Sequence, residues 1–239
     1  MAHYLRIVIP TKNEEKYLPK LLKSIREQTF KDIEIVVADA DSDDKTKEIA
    51  RNYGCKVVKG GLPDVGCNNG LKGCSTNLIC FIESDIILPD NNFLSRAISE
   101  LERKKLDIAG TIQTAILTKN KFHNILNNTF YNIANYAMIL FQKSKKPLMQ
   151  MMMIMKTKVV KDVGGFPPYE FGADSGLAKI AVAKGYKFGI LNESGKILAS
   201  PRRLSKMGYT TSMLKFSYLN LARFVGYEFQ RGKTKFKYF

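Results

Sequence analysis

Runs of β-branched and other apolar residues alternate with amphipathic segments through the first 105 residues of the chain. The apolar runs predict strands at residues 5–9, 33–38, 56–59 and 77–82. Apolar residues at helical spacing predict helices around residues 18–25, 45–53 and 92–104. The repeated strand–helix order predicts an α/β fold, in which helices flank a mostly parallel, Rossmann-like sheet with right-handed crossovers.

The second half of the chain has a less regular pattern. Strands are predicted at residues 106–117 and 148–155, and helices at residues 124–141, 175–184 and 213–229. Because no linker-like segment separates the two halves, we expect one domain at residues 1–200. A basic, amphipathic C-terminal extension is expected at residues 201–239.

Polar clusters follow three of the predicted strands, at the point where each strand ends. They are Thr11-Lys12-Asn13-Glu14, Asp39-Ala40-Asp41-Ser42 and Glu83-Ser84-Asp85. Ligands of parallel α/β sheets sit beyond the carboxyl ends of the strands, so these clusters predict one shared binding site. The third cluster supplies two carboxylates, which are hard ligands that suit Mg²⁺ or Mn²⁺ on a diphosphate. A solvated acidic loop is the alternative.

Residues 7–15, Ile-Val-Ile-Pro-Thr-Lys-Asn-Glu-Glu, resemble the opening of glycosyltransferase family 2, the inverting enzymes of the GT-A fold. Other segments resemble that family in the same order: residues 28–30, 35–39, 42–46, Gly66-x-Asn68-x-Gly70, Gly164-Gly165-Phe166, Asp174-x-x-Leu177 and 185–187. Gly66-x-Asn68-x-Gly70 corresponds to a small turn before the metal strand. The resemblance covers roughly residues 4–200 and implies a nucleotide-binding half at residues 1–105 and an acceptor half at residues 106–200.

The resemblance also implies a role for each polar cluster. The expected donor-binding residues are Pro10, Thr11, Asn13, Glu14, Asp39, Asn68 and Ser84. Asp39 would contact the base of a UDP- or GDP-linked sugar, and Asp85, supported by Glu83, would hold Mg²⁺ or Mn²⁺ on its diphosphate. Asp174 would be the catalytic base of a direct displacement that inverts the anomeric carbon. Two alternatives stay open: Asp39 caps the loop after its strand, and Asp174 only caps the helix that starts at Ser175.

Several departures from the family pattern bear on these roles. Glu83 replaces the first Asp of the Asp-x-Asp motif, Cys67 stands where many members have Arg, and Ala173 replaces the first carboxylate of the catalytic pair. The chain lacks a Gln-x-x-Arg-Trp motif, so Arg202 and Arg203 become candidates for binding the diphosphate. A solvated pair of arginines is the alternative to that role. The alternative function is a GT-A domain that binds a nucleotide or glycan without turnover.

The chain is strongly basic, with 38 Lys and Arg against 22 Asp and Glu, and a net charge of +16. Such a surplus predicts an anionic partner. Nucleic acid would explain the charge but not carboxylates at three strand ends, so we expect no nucleic-acid partner. A nucleotidyltransferase would need a Gly-rich loop after the first strand, and residues 11–17 contain no glycine. The four cysteines form no CxxC pair and are expected to be idle thiols in a reducing cytoplasm.

Two helical segments carry apolar stripes near basic residues. One stripe contains Phe130, Ile133, Ala134, Ala137, Met138 and Phe141; the other contains Leu214, Tyr218, Leu221, Ala222 and Val225, near Lys206, Lys215, Arg223 and the basic tail. Residues 1–6 lead directly into a predicted strand, so we expect no secretory segment. The sequence contains no run of about 18 uncharged apolar residues, so we expect no membrane-spanning helix. We therefore expect a cytoplasmic protein, peripheral at an anionic membrane surface, with a polyprenyl-phosphate or lipid-linked glycan as acceptor. Packing of both stripes on the core is the alternative.

Overall fold

The computed structural model describes residues 3–150, 152–169, 171–202, 204, 208–224, 227 and 231. The strands are β1 (Leu5–Thr11), β2 (Ile33–Asp39), β3 (Lys56–Lys59), β4 (Leu78–Ile82), β5 (Ile86–Ile87), β6 (Ile108–Thr111), β7 (Gln113–Ala115), β8 (Met152–Lys156), β9 (Phe188–Leu191) and β10 (Ile197–Ala199). The helices are α1 (Leu18–Arg26), α2 (Thr46–Asn52), α3 (Pro63–Leu71), α4 (Phe93–Arg103), α5 (Lys121–Phe141), α6 (Thr157–Asp162), α7 (Ala173–Ala183) and α8 (Tyr209–Phe224).

The strands form two sheets. The larger sheet has seven strands in the order β3-β2-β1-β4-β8-β6-β9, and the smaller has three in the order β5-β10-β7. Strands β3, β2, β1 and β4 are parallel, β8 runs antiparallel between β4 and β6, and β6 is parallel to β9. The predicted α/β fold with a mostly parallel sheet is therefore confirmed.

Alternate side chains of β1 enter hydrophobic clusters on opposite faces of the larger sheet. Leu5, Ile7 and Ile9 pack with α1 and α4, whereas Val8 packs with α3, α6 and α7. Strand β4 is buried along its whole length, as expected for a strand that is covered on both faces. All four cysteines are free thiols in this buried interior, as predicted.

The segment that contains Gly66 and Gly70 is part of helix α3, so the prediction of a small turn there is wrong. Glycine in a helix normally costs stability, but here it allows a close approach between helix and sheet. A Cβ on Gly70 would lie 2.3 Å from Cγ1 of Val8, and one on Gly66 would lie 3.3 Å from Cβ of Pro10. These two glycines therefore let α3 lie directly on the ends of β1 and β2.

The second half differs from the sequence prediction in four places. The single strand predicted at residues 106–117 is β6 and β7, which belong to different sheets. The strand predicted at residues 148–155 begins only at Met152. The helix predicted at residues 124–141 begins earlier, because the side chain of Asn120 accepts a hydrogen bond from the His123 N–H and caps α5. The helix predicted at residues 213–229 begins earlier, at Tyr209, as α8. Within the predicted range, residues 225–226 and 228–229 lie outside the described residues.

Helix α5 buries two asparagines and leaves five large apolar side chains exposed to solvent. Its buried side chains are Asn127, Tyr131, Asn135 and Met138. We call the exposed side chains Phe122, Ile125, Ile133, Tyr136 and Leu140 the α5 outer face. The stripe predicted on this helix is therefore divided: Met138 is buried, Ile133 is 58% exposed, and Phe130, Ala134, Ala137 and Phe141 are half-buried.

Helix α8 also exposes part of its predicted stripe. Leu214, Tyr218 and Leu221 face solvent, and Ala222 is half-buried. Val225, Lys206 and the tail at residues 232–239 lie outside the described residues. Across the part of the chain that the structure describes, no helix is long and apolar enough to cross a membrane.

Candidate functional site

The ends of β1 and β2 are joined through the carboxylate of Asp39. Its Oδ2 accepts hydrogen bonds from Oγ1 of Thr11 at 3.0 Å and from Oγ of Ser42 at 2.6 Å, and its Oδ1 accepts one from the Ser42 N–H at 2.9 Å. Asp39 is buried, and these bonds fix the loop that follows β2. This is the loop-capping arrangement that the sequence left open as an alternative, and base recognition by Asp39 stays a prediction.

Hydrogen bonds between backbone N–H groups and side-chain oxygens join the loop after β1 to the segment after β2. The Asn13 N–H donates to Oγ of Ser42 at 2.9 Å, and Oδ1 of Asn13 accepts from the Asp43 N–H at 2.9 Å. The Glu14 N–H donates to Oγ1 of Thr46 at 2.8 Å. Asn13 adopts a φ of 54°, a left-handed conformation that Asn tolerates better than most residues. Two of the three predicted polar clusters thus form one rigid edge of the site.

The third cluster is positioned by the smaller sheet. Strand β4 ends at Ile82, and Ser84 and Asp85 are buried directly after it. Ile86 of β5 then pairs with Ala199 of β10. The carbonyl oxygen of Asp85 accepts a hydrogen bond from the Ser200 N–H at 3.1 Å, and this register brings the segment after β10 against Asp85.

Arg202 connects the first and third clusters. Its Nε donates to Oδ2 of Asp85 at 2.7 Å. Its Nη1 and Nη2 donate to the two carboxylate oxygens of Glu14, at 2.8 and 2.7 Å. The guanidinium carbon lies 4.3 Å from the ring centroid of Tyr17, within the range of a cation–π contact. Arg202 therefore lies inside the predicted site rather than in a solvated loop, while Arg203 lies outside the described residues.

Asp85 has one oxygen that a metal could use. Among the described residues, Oδ1 of Asp85 is buried and accepts no hydrogen bond, which is unusual for a carboxylate. No group of three or more His, Cys, Asp or Glu side chains that could hold a metal occurs among those residues. Mg²⁺ and Mn²⁺ sites on diphosphates commonly use one or two carboxylates, with phosphate oxygens and water as the other ligands. Asp85, with Glu83 two residues before it in the chain, fits such an ion.

The thiol of Cys67 on α3 is buried and lies within the electrostatic influence of three carboxylates. Burial raises the pKa of Cys67 well above its usual range, and the negative charges of Asp64, Glu83 and Asp174 raise it further. A thiol with a raised pKa stays neutral, so Cys67 is expected to be unreactive.

Asp174 lies in the first turn of α7, where its Oδ1 accepts a hydrogen bond from the Ser175 N–H at 2.7 Å. An acidic side chain at this position also stabilises the positive end of the helix. The helix starts after Gly172, which has a φ of 72°, so Asp174 is not the N-cap residue itself. Its function as a catalytic base stays a prediction.

Asn68 uses its side-chain amide to hold the backbone of Phe166. Nδ2 donates to the Phe166 carbonyl oxygen at 3.0 Å, and Oδ1 accepts from the Phe166 N–H at 2.8 Å. A Cβ on Gly165 would lie 2.3 Å from Oδ1 of Asn68, so only glycine fits there. The predicted donor-binding residue Asn68 thus connects α3 to the turn at Gly164–Phe166.

Sequence reasoning missed three residues of this region. Tyr17 stacks on Arg202, and Arg231 makes an ion pair with the buried Asp64 in the first turn of α3. The backbone N–H of Arg231 also donates to the Pro168 carbonyl oxygen at 2.9 Å. No local sequence signal links Arg231 to Asp64, because the pair spans 167 positions of the chain.

Comparison with known proteins relates this arrangement to enzymes that transfer sugars. Residues 6–164 match the family model described as glycosyl transferase family 2. The 4,4′-diaponeurosporenoate glycosyltransferase of Staphylococcus haemolyticus is 34% identical over 110 residues, which are 42% of this chain and 29% of that protein. The GalNAc(5)-diNAcBac-PP-undecaprenol beta-1,3-glucosyltransferase of Campylobacter jejuni is also 34% identical over 110 residues, 42% of this chain and 34% of that protein. The chain thus spans about a third of the length of these curated relatives.

The fold is similar to that of a solved mannosyltransferase, PcManGT from Pyrobaculum calidifontis, in complex with GDP-Man and Mn²⁺. The TM-score is 0.64 at 18% sequence identity, and the match covers 84% of this chain and 57% of that chain. This likeness confirms the GT-A type of fold that the sequence resemblance implied.

Proposed function

The chain belongs to glycosyl transferase family 2, and on that premise we propose that it is an inverting glycosyltransferase that uses Mg²⁺ or Mn²⁺. Its donor is a UDP- or GDP-linked hexose, bound by the half at residues 1–105. Its acceptor, bound by the half at residues 106–200, is a polyprenyl-phosphate or a lipid-linked glycan. GDP-Man with Mn²⁺ in PcManGT supports the donor class, and the undecaprenol-linked substrate in the name of the Campylobacter relative supports the acceptor class.

The observation that carries this proposal is the buried, unsatisfied Oδ1 of Asp85 among the described residues, beside Arg202 and at the carboxyl end of β4. Leaving a buried carboxylate oxygen without a partner costs about 1–3 kcal/mol or more. A cation removes that cost, because it supplies the missing charge and coordination.

The proposed reaction needs a stabilised leaving group and a deprotonated acceptor. A divalent ion at Asp85 would neutralise charge that develops on the departing diphosphate. Arg202 adds a fixed positive charge at the same edge of the sheet. Where the acceptor is a glycan, Asp174 accepts the proton of its hydroxyl, a type of contribution worth about 10²–10⁴-fold in rate. The attacking oxygen of a polyprenyl-phosphate is already ionised and needs no base. No covalent intermediate on the protein is required.

The experiment combines turnover with metal-dependent donor binding. UDP- and GDP-sugars are screened by thermal shift with and without Mn²⁺, since a ligand at 100 times its Kd adds about 2.7 kcal/mol of stability. Asp85→Asn should remove the Mn²⁺-dependent part of the shift, whereas Asp90→Asn, which alters an exposed carboxylate paired with Arg96, should retain it. Release or transfer of the sugar by the unaltered protein completes the assignment.

Three results would contradict parts of this function. Donor binding that is equal with and without Mn²⁺ would contradict the metal assignment. Donor binding without release or transfer of sugar, in the presence of lipid-linked acceptors, would favour the nucleotide- or glycan-binding module. Absence of binding by every nucleotide-sugar would exclude both.

We further propose that the α5 outer face rests on the anionic cytoplasmic surface of a membrane, where a lipid-linked acceptor would be found. Charge complementarity supports this occupant. Residues 108–161 contain no Asp or Glu, and exposed lysines stand at both ends of the helix: Lys119, Lys121, Lys143 and Lys145. Each basic residue close to an anionic bilayer contributes about 1 kcal/mol, in addition to burial of the apolar side chains.

Sedimentation with lipid vesicles tests this surface. The protein should bind vesicles that contain phosphatidylglycerol more tightly than vesicles of phosphatidylcholine alone. The triple substitution Ile125→Ser, Ile133→Ser and Leu140→Ser should weaken binding, whereas Leu62→Ser, at an exposed leucine before α3, should not. Equal binding by both variants, or self-association that the triple substitution abolishes in the absence of lipid, would overturn this part of the proposal.

A further inference from the structure

We propose that Glu14 and Arg202 are positioning residues, which hold Asp85 so that its Oδ1 is directed to the metal. This inference rests on the proposed function, because it concerns the same metal. It assigns Glu14 a different role from the nucleoside contact that the family resemblance implied, and it assigns Arg202 a role toward a protein carboxylate rather than only toward the diphosphate.

The geometry of the guanidinium fixes this arrangement. A guanidinium is planar and presents its N–H groups in a rigid fork, so two parallel bonds to one carboxylate set the direction of the remaining donors. Here both Nη atoms bind the two oxygens of Glu14, and Nε is left to bind Oδ2 of Asp85 at 2.7 Å. The Tyr17 ring supports one face of the guanidinium. The position of Glu14 therefore determines the direction from which Asp85 is held.

Glu14 is itself fixed by the start of α1. Its carbonyl oxygen accepts hydrogen bonds from the Tyr17 N–H at 3.0 Å and the Leu18 N–H at 2.9 Å, and its own N–H is bound by Thr46. Each carboxylate oxygen of Glu14 accepts a hydrogen bond from Arg202, so this carboxylate is engaged in the ion pair in this arrangement. The orientation of Asp85 thus depends on the loop that closes β1 onto β2.

The two carboxylate oxygens of Asp85 therefore have different surroundings. Oδ2 is held by Arg202, while Oδ1 is buried and accepts no hydrogen bond among the described residues. Partners that orient a ligating side chain from behind are a common feature of metal sites, and their loss typically lowers metal affinity by about 10- to 100-fold. The same contacts allow an alternative interpretation, in which the Arg202 guanidinium occupies the position of the metal ion and competes with it for Asp85. The two interpretations predict opposite effects of Arg202 substitution on Mn²⁺ affinity.

The experiment measures Mn²⁺ retained by the full chain. Mn²⁺ is titrated by electron paramagnetic resonance in the presence of saturating GDP or UDP, whichever stabilises the unaltered protein, with protein-free nucleotide as the blank. The variants are Arg202→Lys, which keeps the charge but loses the fork, and Glu14→Gln, which keeps the shape but loses the charge. Arg96→Lys is the control, because Arg96 makes the same forked pair with an exposed carboxylate, that of Asp90. Binding of the nucleotide in EDTA is measured in parallel.

We expect Arg202→Lys and Glu14→Gln each to weaken Mn²⁺ binding by about 10- to 100-fold. The double variant should lose little more than either single one, because both act through the same contact. In Glu14→Gln, the affinity for nucleotide measured in EDTA should fall by a smaller factor than the affinity for Mn²⁺. In the control Arg96→Lys, neither affinity should change.

Tighter Mn²⁺ binding after Arg202→Lys would overturn the positioning role and indicate competition between the guanidinium and the ion. Unchanged Mn²⁺ affinity in a folded Glu14→Gln variant would also overturn it. A larger loss of nucleotide binding than of Mn²⁺ binding in that variant would restore Glu14 to the nucleoside pocket. Failure of the unaltered protein to bind Mn²⁺ at all would instead contradict the proposed function, so the two failures are distinguishable.

Discussion

The contact between Asn68 and Phe166 can be tested by a substitution with a matched control in the same helix. Asn68→Ala removes two hydrogen bonds to the Phe166 backbone, of 3.0 and 2.8 Å, which are partly buried. Asn69→Ala removes one exposed hydrogen bond, from Nδ2 to the Lys59 carbonyl oxygen at 2.9 Å. Both substitutions replace Asn by Ala inside α3, so the gain in helix propensity is the same in each and cancels in their difference.

The expected loss in the free energy of unfolding follows from the number and burial of the hydrogen bonds that each substitution removes. A hydrogen bond contributes about 0.5–1.5 kcal/mol net, and more when its loss leaves a buried backbone group without a partner. Two partly buried bonds give about 1–3 kcal/mol for Asn68, whereas one exposed bond gives less than about 1 kcal/mol for Asn69. Asn68→Ala should therefore be less stable than Asn69→Ala by about 1–2 kcal/mol.

Urea unfolding followed by circular dichroism measures this difference, and calorimetry with UDP or GDP measures the effect on binding. A connecting role predicts a loss of stability in Asn68→Ala with nucleotide binding retained at temperatures where the variant is folded. Equal stability of the two variants would refute the reasoning from hydrogen bonds. Equal stability together with lost nucleotide binding would show that Asn68 binds the donor, as the family resemblance implied.

Two further predictions concern packing and pH. Gly70→Ala would place a Cβ 2.3 Å from Cγ1 of Val8, so we expect the free energy of unfolding in urea to fall by about 1–3 kcal/mol, and the same substitution to have a much smaller effect in a Val8→Ala background. Glu100 is buried, which by itself raises its pKa, but hydrogen bonds from Lys104, from the Ser194 hydroxyl and from backbone N–H groups outweigh burial and lower the pKa below its usual value. The stability that the ionised Glu100 contributes is therefore complete above the unfolded pKa, about 4.3, and is lost as the pH falls toward the folded pKa. Glu100→Gln should lower the urea midpoint at pH 7 and flatten its pH dependence below about pH 5, and a parallel downward shift at every pH would contradict this account.

Much of the fold of residues 1–105 could be predicted from sequence because its signals are local. Strands β1, β2, β3 and β4 are short apolar runs, and a parallel order places the ends of neighbouring strands at one edge. Thr11 and Asp39 do meet there, with 3.0 Å between Oγ1 and Oδ2. The prediction succeeded because strand period and strand order together determine where a strand end lies.

The parts that sequence reasoning missed depend on contacts between distant segments. The family resemblance indicated a small turn at Gly66 and Gly70, but these residues lie in helix α3, where they allow its close approach to β1. The face of α5 was assigned from hydrophobicity alone. The structure buries Asn135 instead, because its amide exchanges hydrogen bonds with the backbone of Gln113 in β7 at 2.7 and 3.0 Å. A hydrogen bond between distant segments, such as this one, cannot be predicted from the spacing of apolar residues.

The same limit applies to assigning functions to the residues of the site. Sequence reasoning gave Glu14, Asp85 and Arg202 separate roles toward the nucleoside, the metal and the diphosphate, but the structure joins them in one hydrogen-bonded ion-pair network across 188 positions of the chain. Because a buried ion pair leaves an uncompensated charge when one partner is removed, substitution of any of the three disturbs the other two. Loss of activity in such variants therefore cannot distinguish a residue that touches the donor from one that holds Asp85. Separate measurements of metal affinity and of metal-free nucleotide affinity can, because a positioning residue changes mainly the first and a donor contact changes mainly the second.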